Sequence, residues 1–232
     1  MLGAVYAYPG GALADRWGNR RSLILFHLLS VAGYTILLVP GSTLSINPAV
    51  YTKLPYDALK SFDAIGNVAN YSFVLSVRTE HPAQDVKGLV AWSQANPATA
   101  NYGSSSALFQ LLTELFKLKT GAKLEHIPFR GGGEIVTAIL SGQVTATFAD
   151  AGPVLPQIKA GKIRALAVSG SKRMADLPSV PTMAQAGVEG VVVDGYTALV
   201  APAGTPGPIV KKLEAEVIAI ANLADVRDRL TQ

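Results

Sequence analysis

The chain has 232 residues, a formal net charge of +4 and no cysteine, which excludes disulfides and thiolate chemistry. Hydrophobic residues make up 49% of it and charged residues 16%, so we expect a folded core of one large or two small domains rather than disorder. Its lysines and arginines are spread out, with no basic run interleaved with aromatic residues, so we do not expect nucleic-acid binding.

The chain begins with a basic motif followed by an apolar run. The motif GALADRWGNRR occupies residues 11–21, and the apolar run extends over residues 22–39. Residues 8–40 resemble the loop and the following membrane helix of major facilitator transporters. Arginines before an apolar run also suit a signal anchor, and this run is barely long enough to span a bilayer. We therefore assign residues 1–32 to a segment that is transporter-like or signal-anchor-like, and leave membrane anchoring by residues 22–39 open.

The next elements are a hydroxyl-rich turn, a strand and a helix. Ser42 and Thr43 follow the end of the apolar run, which we expect to be a strand, and ligands of open α/β sheets bind beyond strand carboxyl ends. Residues 71–77 are rich in β-forming residues and predict a strand. Residues 82–96 predict a helix with Asp85 in its first turn. We expect Trp92 of this helix to pack in the core or between lobes.

Residues 101–150 contain two Gly/Ser-rich turns, each before a predicted helix. In the first turn, Ser104 to Ser106 precede a helix whose apolar positions have helical spacing: Leu108, Leu111, Leu112, Leu115 and Leu118. In the second, Gly131 to Gly133 precede a helix that we expect to open at Glu134. The free N–H groups and the dipole of a helix N-terminus favour an anion. Either turn alone is also typical of an ordinary connection, but the pair predicts a carboxylate site.

The remaining elements alternate between strands and helices. The pattern predicts strands over residues 143–149, 163–168 and 191–200, a short helix ending at Gly161, and a last helix over residues 208–223. Asp150 falls just beyond the first of these strands, where an aspartate is typical of a helix cap. Because the chain has no nucleophile motif, Walker loop, dinucleotide fingerprint or histidine pair with metal-site spacing, we predict no enzyme, no cofactor and no metal site. We expect His126 to pack at a strand.

Six segments in this order carry a resemblance to a known family: NYGSSS, HIPFRGG, SGQVTATFAD, LPQIKAGKIRALAVSGSKR, LPSVPTMAQAG and LVAPAGTP. They resemble the substrate-binding proteins of tripartite tricarboxylate transporters, the Bug or TctC-like receptors, over about residues 33–230. The resemblance implies an α/β, two-lobed periplasmic-binding-protein type II fold that is truncated at both ends. Lobe 1 would comprise residues 33–79 and 191–232, and lobe 2 residues 80–190, with hinges near 77–82 and 190–194.

The resemblance also implies a function. Such a protein is a periplasmic, monomeric receptor that closes around a small organic acid, a di- or tricarboxylate or similar, and delivers it to the membrane components of the transporter. The ligand-binding residues would be Ser42, Thr43, Tyr102, Gly103, Ser104, Ser105, Ser106, Phe129, Arg130, Gly131, Gly132 and Asp150. The family usually has lysine where this chain has Arg130, and its acid lies one residue before Asp150. The alternatives are a membrane-inserted transporter fragment and a non-functional truncated gene product, and export stays open without a clear cleavage site.

Overall fold

The computed structural model describes residues 36–224 and residue 226. The strands of this part of the chain are β1 (Leu37–Pro40), β2 (Phe62–Arg78), β3 (Asn101–Ser104), β4 (Glu125–Pro128), β5 (Ala146–Asp150), β6 (Ile163–Val168) and β7 (Asp194–Pro202). Its helices are α1 (Gly41–Ser45), α2 (Asn47–Val50), α3 (Val86–Ala95), α4 (Ala107–Thr120), α5 (Gly132–Leu140), α6 (Ala151–Lys159) and α7 (Gly207–Ala221).

The long strand β2 joins two halves of the sheet. Its first part, up to Ser72, pairs antiparallel with β7, whose other edge pairs with β1. From Phe73 onward it pairs antiparallel with β5 on one side and β6 on the other. β3 then lies parallel to both β5 and β4, which gives the strand order β1-β7-β2-β5-β3-β4. The chain therefore crosses between the halves at Ser72–Phe73, upstream of the hinge predicted near residues 77–82.

The predicted central helix is confirmed as α4, but its buried face differs from the prediction. Phe109, Leu112 and Phe116 are buried, whereas Leu111 is 46% and Leu118 80% exposed. The prediction followed the leucines alone. The two phenylalanines lie at i and i+7 with Leu112 between them, and their larger apolar area places this face against β5.

Several element boundaries also differ from the predictions. Asp85 is the N-cap of α3, where its carboxylate accepts a hydrogen bond from Gly88 N at 2.7 Å, rather than a residue of the first turn. α5 begins at Gly132 because the Glu134 carboxylate reaches back to Arg130 N, at 3.1 Å, and stabilises an earlier start. β5 begins at Ala146 and β7 at Asp194, each three residues later than predicted, after turns that contain positive-φ glycines, Gly142 and Gly190.

The N-terminal motif and most of the apolar run, up to residue 35, lie outside the described residues. The end of that run, Leu37–Pro40, is strand β1. None of the helices between residues 36 and 224 is long and apolar enough to cross a membrane.

His81 is buried beside α3 with one ring nitrogen unsatisfied. Its Nδ1 accepts a hydrogen bond from Ala83 N at 3.1 Å, and its ring packs edge-on against Trp92 at 4.5 Å between centroids. Trp92 is therefore a packing residue, as predicted. Nε2 has no partner among the described residues. Desolvation lowers the pKa of His81 below its ordinary value, and the charges of Arg78 and Arg164 lower it further.

Acidification is therefore expected to destabilise the protein through His81. In the unfolded chain histidine takes up a proton near pH ~6.5, whereas in the fold its pKa is lower. The stability contributed by neutral His81 is thus complete above pH ~6.5 and is lost as the pH falls through the folded-state pKa. Thermal midpoints measured between pH 8 and 5 should fall less steeply for His81→Gln than for the parent. Parallel curves for the two proteins would contradict this account.

Candidate functional site

The carboxyl ends of β3, β4, β5 and β6 meet at one edge of the second half of the sheet. Gly103 of β3 pairs in parallel with Thr147 of β5, and Ser104 pairs in parallel with Pro128 of β4. β5 and β6 both run antiparallel to β2, so they end at this edge too. The turns that gather there are Ser105–Ser106, Phe129–Gly131, the start of α6 after Asp150, and Ser169–Ser171. This edge borders the crossing of β2 and β7, which is where open sheets bind ligands.

The first turn presents Ser105 and Ser106 at this edge. Ser105 is half-buried and Ser106 is exposed. Ser106 is the N-cap of α4, but its hydroxyl accepts only a long hydrogen bond, 3.4 Å, from Phe109 N. The preceding N–H groups of the helix have no intrahelical acceptor. Backbone and hydroxyl groups are therefore accessible at this turn, and ligand contact by these two serines stays a prediction.

The three residues before this turn, which the sequence predicts to bind the ligand as well, are buried beneath the edge. Ser104 is 4% exposed, and its Oγ lies 2.7 Å from His126 Nε2. Tyr102 is fully buried and donates its hydroxyl hydrogen to Glu114 at 2.7 Å. Gly103 is covered by Phe129, whose ring would lie 3.1 Å from a Cβ added there. These residues support the turn from below, and His126 packs at a strand as expected.

Glu114 of α4 accepts one hydrogen bond from β3 and one from its own helix. It accepts hydrogen bonds from the Tyr102 hydroxyl and from Lys117 Nζ, both at 2.7 Å. Burial, followed by the bond to Glu114, raises the pKa of Tyr102. Desolvation alone would raise the pKa of Glu114, but the hydrogen bonds from Lys117 and Tyr102 outweigh it and leave that pKa below the ordinary value. An ionised Glu114 thus holds the helix whose N-terminus forms the first turn.

The second turn exposes backbone at glycine. Gly131 is the extended N-cap of α5, and a Cβ added at Gly131 or Gly133 would meet no atom within 4 Å. At Gly132 a Cβ would lie 3.1 Å from Pro153 Cγ, so this glycine permits close packing of α5 on α6. Arg130 is exposed, and its guanidinium makes no hydrogen bond or ion pair with the described residues. The second turn therefore combines open space at Gly131 and Gly133, the N–H groups at the start of α5 and the positive charge of Arg130.

Asp150 ends β5 at the same edge. Asp150 is the N-cap residue of α6, the position that the sequence predicts, but its exposed side chain makes no capping hydrogen bond to the helix. Although solvent reaches it, the surrounding protein desolvates the carboxylate enough to raise its pKa. Burial raises the pKa of Tyr71, a hydrogen bond with Thr197 lowers it, and the charge of Asp150 raises it again.

Ser42 and Thr43 lie across the strand crossing, in the other half of the sheet. They follow β1, whose last residue Pro40 pairs with Thr197 of β7. Both side chains are half-buried, and their hydroxyls make no hydrogen bond with the described residues. The ring of Tyr196 covers Gly41 so closely that an added Cβ would overlap it. The structure thus places these hydroxyls on the opposite side of the crossing from the Ser/Gly turns.

The crossing itself contains residues that the sequence did not single out. Ser169 Oγ accepts a hydrogen bond from Phe73 N at 2.9 Å and donates one to Val193 O at 2.6 Å, which ties β2 to the approach of β7. Ser72 Oγ donates to Asp194 Oδ1 at 2.8 Å. Gly170 is packed between these last two side chains. The small residues SGS directly after β6 are the one sequence signal for this arrangement.

Comparison with known proteins identifies relatives over most of the chain. A family model described as tripartite tricarboxylate transporter family receptor matches residues 29–232. Protein BugT of Bordetella pertussis is 33% identical over 188 residues, 80% of this chain and 58% of BugT. The UPF0065 protein in the gbd 5′ region of Cupriavidus necator is 35% identical over 183 residues, 78% of this chain and 55% of that protein. The chain thus spans little more than half the length of these curated relatives.

Solved structures confirm the predicted fold. MatC from Rhodopseudomonas palustris with bound malate has a TM-score of 0.76 at 28% identity, covering 85% of this chain and 68% of MatC. An R. palustris protein solved with adipate has a TM-score of 0.79 at 30% identity, covering 85% and 67%. The α/β, two-lobed receptor fold is therefore shown. The comparisons do not support the resemblance of residues 8–40 to a major facilitator transporter, and the family match already begins at residue 29.

Proposed function

Since the chain belongs to the tripartite tricarboxylate transporter receptor family, we propose that it binds a small organic acid and delivers it to the membrane components of such a transporter. The receptors of this family are periplasmic solute-binding proteins rather than enzymes. The observation that carries the proposal is the meeting of two Ser/Gly turns, with open backbone in front of them, at one edge of the sheet. Malate and adipate in the two related structures support an acid as the ligand.

In the proposed complex, backbone amides bind the carboxylate oxygens. The first N–H groups of α4 and α5 have no intrahelical partners, and the dipoles of both helices favour negative charge. The absence of a side chain at Gly131 and Gly133 allows oxygens to approach the main chain closely. Arg130 adds a positive charge and a planar fork that suits a carboxylate. The hydroxyls of Ser105 and Ser106 complete this side of the site.

The two halves of the sheet are the proposed lobes, and the ligand lies between them. The predicted lobes comprise residues 33–79 with 191–232 and residues 80–190; we propose the same two lobes with their boundaries at Ser72–Phe73 and at Val193–Asp194. Closure about these crossings would bring Ser42 and Thr43 toward the Ser/Gly turns. We propose that the protein acts in the periplasm as a monomer, because all residues of the proposed site come from one chain.

Thermal unfolding with a panel of di- and tricarboxylates and amino acids tests this function. A ligand present at 100 times its dissociation constant adds about 2.7 kcal/mol to the free energy of unfolding. For a chain of this size the midpoint should rise by about 5–10 °C. A shift with one acid or a group of related acids is the expected result. A cooperative transition that no acid in the panel shifts would contradict the proposal.

Blocking the second turn should abolish the ligand-induced shift. In Gly131→Phe the added Cβ meets no atom within 4 Å, so we expect the ring to occupy the open space before α5 and to exclude the ligand. The control is Gly207→Phe, because Gly207 also begins a helix and a Cβ added there also meets no atom within 4 Å. Gly207 follows β7 at the end remote from the crossing. Both variants should unfold within ~2 °C of the parent, since surface changes cost little. A Gly131→Phe protein that responds to ligand like the parent would refute this site.

A further inference from the structure

Helix α4 has an apolar face that the core does not cover. Four leucines follow one another along it at i, i+3, i+7 and i+10, the spacing of a helix that packs along another helix: Leu108, Leu111, Leu115 and Leu118. The first and third are half-buried at the margin of the core, whereas Leu111 is 46% and Leu118 80% exposed. This leucine stripe is about 15 Å long, since a helix rises by about 1.5 Å per residue.

A groove that contains two lysines adjoins the C-terminal end of the leucine stripe. It has a volume of about 320 Å³ and is lined by α3, the last turn of α4 and residues 186–189. Lys119 follows Leu115 by four residues, so both lie on the same side of α4. Lys87 comes from α3 on the other side of the groove. The leucine stripe and this lysine groove therefore form one continuous surface.

The two lysines are free to bind an external anion. Among the described residues neither of them makes an ion pair. A Cβ added at Gly187 would lie 3.4 Å from Lys87 Cε, and one added at Gly190 would lie 3.3 Å from Lys119 Cε. Both aliphatic stems therefore lie against the same short loop, and the ammonium groups at their ends remain accessible. Glu189 also lines the groove, but two lysines and one glutamate leave it positive.

We propose that the leucine stripe and the lysine groove bind an amphipathic helix of a partner protein, with apolar side chains along one face and acidic side chains near one end. The apolar face would cover Leu111 and Leu118, and the acidic side chains would pair with the two lysines. A small acid would satisfy the lysines but leave the stripe exposed. A flat anionic bilayer would reach Leu118 but would not enter the groove, where Glu189 would also repel it.

This surface is separate from the proposed ligand site. Lys119 and Ser106 lie thirteen positions apart in the sequence, which corresponds to about 20 Å along α4. The inference therefore does not depend on which acid the Ser/Gly turns bind, or on whether they bind one.

Fluorescence polarisation with two labelled peptides tests the surface. Both peptides have leucine at the a and d positions of three heptads, and their remaining positions carry glutamate and alanine in one peptide and lysine and alanine in the other. We expect the full chain to bind the acidic peptide at least about tenfold more tightly than the basic peptide, because the groove is positive.

Two variants separate the apolar and the charged contribution. Leu118→Ser shortens the exposed stripe, and Lys87→Gln combined with Lys119→Gln removes both charges of the groove. Each should weaken binding of the acidic peptide at least about fivefold. Because all three side chains are exposed, the thermal midpoint of each variant should stay within ~2 °C of the parent.

The controls make the same changes elsewhere. Leu59→Ser alters a leucine that is 92% exposed before β2, and Lys211→Gln combined with Lys212→Gln removes two exposed lysines of α7. Both should bind the acidic peptide like the parent. A parent that binds neither peptide, or equal binding by the parent and the variants of the stripe and groove, would overturn the inference. So would a parent that binds phosphatidylglycerol vesicles but not the acidic peptide. The thermal shifts with organic acids, measured separately, decide the proposed function.

Discussion

Replacing Phe116 by alanine is expected to lower the free energy of unfolding by about 3–5 kcal/mol. Its ring is fully buried on α4 and packs edge-on against Phe148 of β5, 6.0 Å between centroids. Truncation removes buried apolar area and leaves a cavity between helix and sheet, and both terms destabilise the fold. Urea unfolding of the unliganded protein measures the loss.

Leu118→Ala on the same helix is the matched control. Leu118 is 80% exposed, so its replacement should change the free energy of unfolding by less than about 0.5 kcal/mol. The pair distinguishes the observed orientation of α4 from the one that its leucine spacing predicts. If Leu118→Ala cost as much as Phe116→Ala, the helix would face the sheet as the sequence pattern predicted.

Replacing Gly170 by alanine is expected to destabilise the protein by about 2–3 kcal/mol and to weaken ligand binding together with stability. The added Cβ would overlap Ser72 Oγ and lie 2.7 Å from Asp194 Oδ1. Ser72 and Asp194 belong to the two strands that cross between the halves of the sheet. The added methyl group must therefore displace the Ser72 hydroxyl or the Asp194 carboxylate and break the hydrogen bond that joins these two strands. Thermal unfolding with and without the ligand measures both effects.

Two further variants isolate the cause. Ser72→Gly combined with Gly170→Ala removes the nearest overlapping atoms and should recover part of the lost stability. Gly207→Ala adds the same methyl group where no atom lies within 4 Å, and should behave like the parent. A Gly170→Ala protein as stable as the parent, or a double variant no more stable than Gly170→Ala alone, would contradict the packing described at the crossing.

Local patterns in the sequence were sufficient to predict the alternating elements. The strand over residues 163–168 is confirmed at its predicted bounds as β6, and the predicted helix ending at Gly161 is the end of α6, where Gly161 has φ +71°. The orientation of α4 could not be predicted because leucines and phenylalanines compete for the same core. Which face is buried depends on the shape of the sheet surface against which α4 packs, and the spacing of apolar residues along one helix gives no information on that shape.

The two turns of the candidate site were predicted from the sequence, but the burial of their side chains was not. Helix starts at Ser/Gly turns are visible in the sequence, since capping and glycine chemistry are local. Whether a side chain in such a turn points outward depends on neighbouring strands. Ser104 was predicted to contact the ligand, yet it is paired with His126 from β4, twenty-two residues away in sequence. The sequence predicted the first hinge near residues 77–82, later in the chain than the crossing at Ser72–Phe73. No break in the sequence marks that crossing, because β2 continues through both halves of the sheet.

The most direct test of the central claim is backbone amide NMR during titration with the acid that gives the largest thermal shift. We expect the largest chemical-shift changes at the amides of the two turns, Ser105, Ser106 and Gly131 to Gly133. Smaller changes should follow at the crossing near Ser72 and Asp194 as the lobes close. If the largest changes appeared instead in the groove lined by Lys87 of α3 and Lys119 in the last turn of α4, the carboxylate would bind outside the proposed site, which would contradict the proposal.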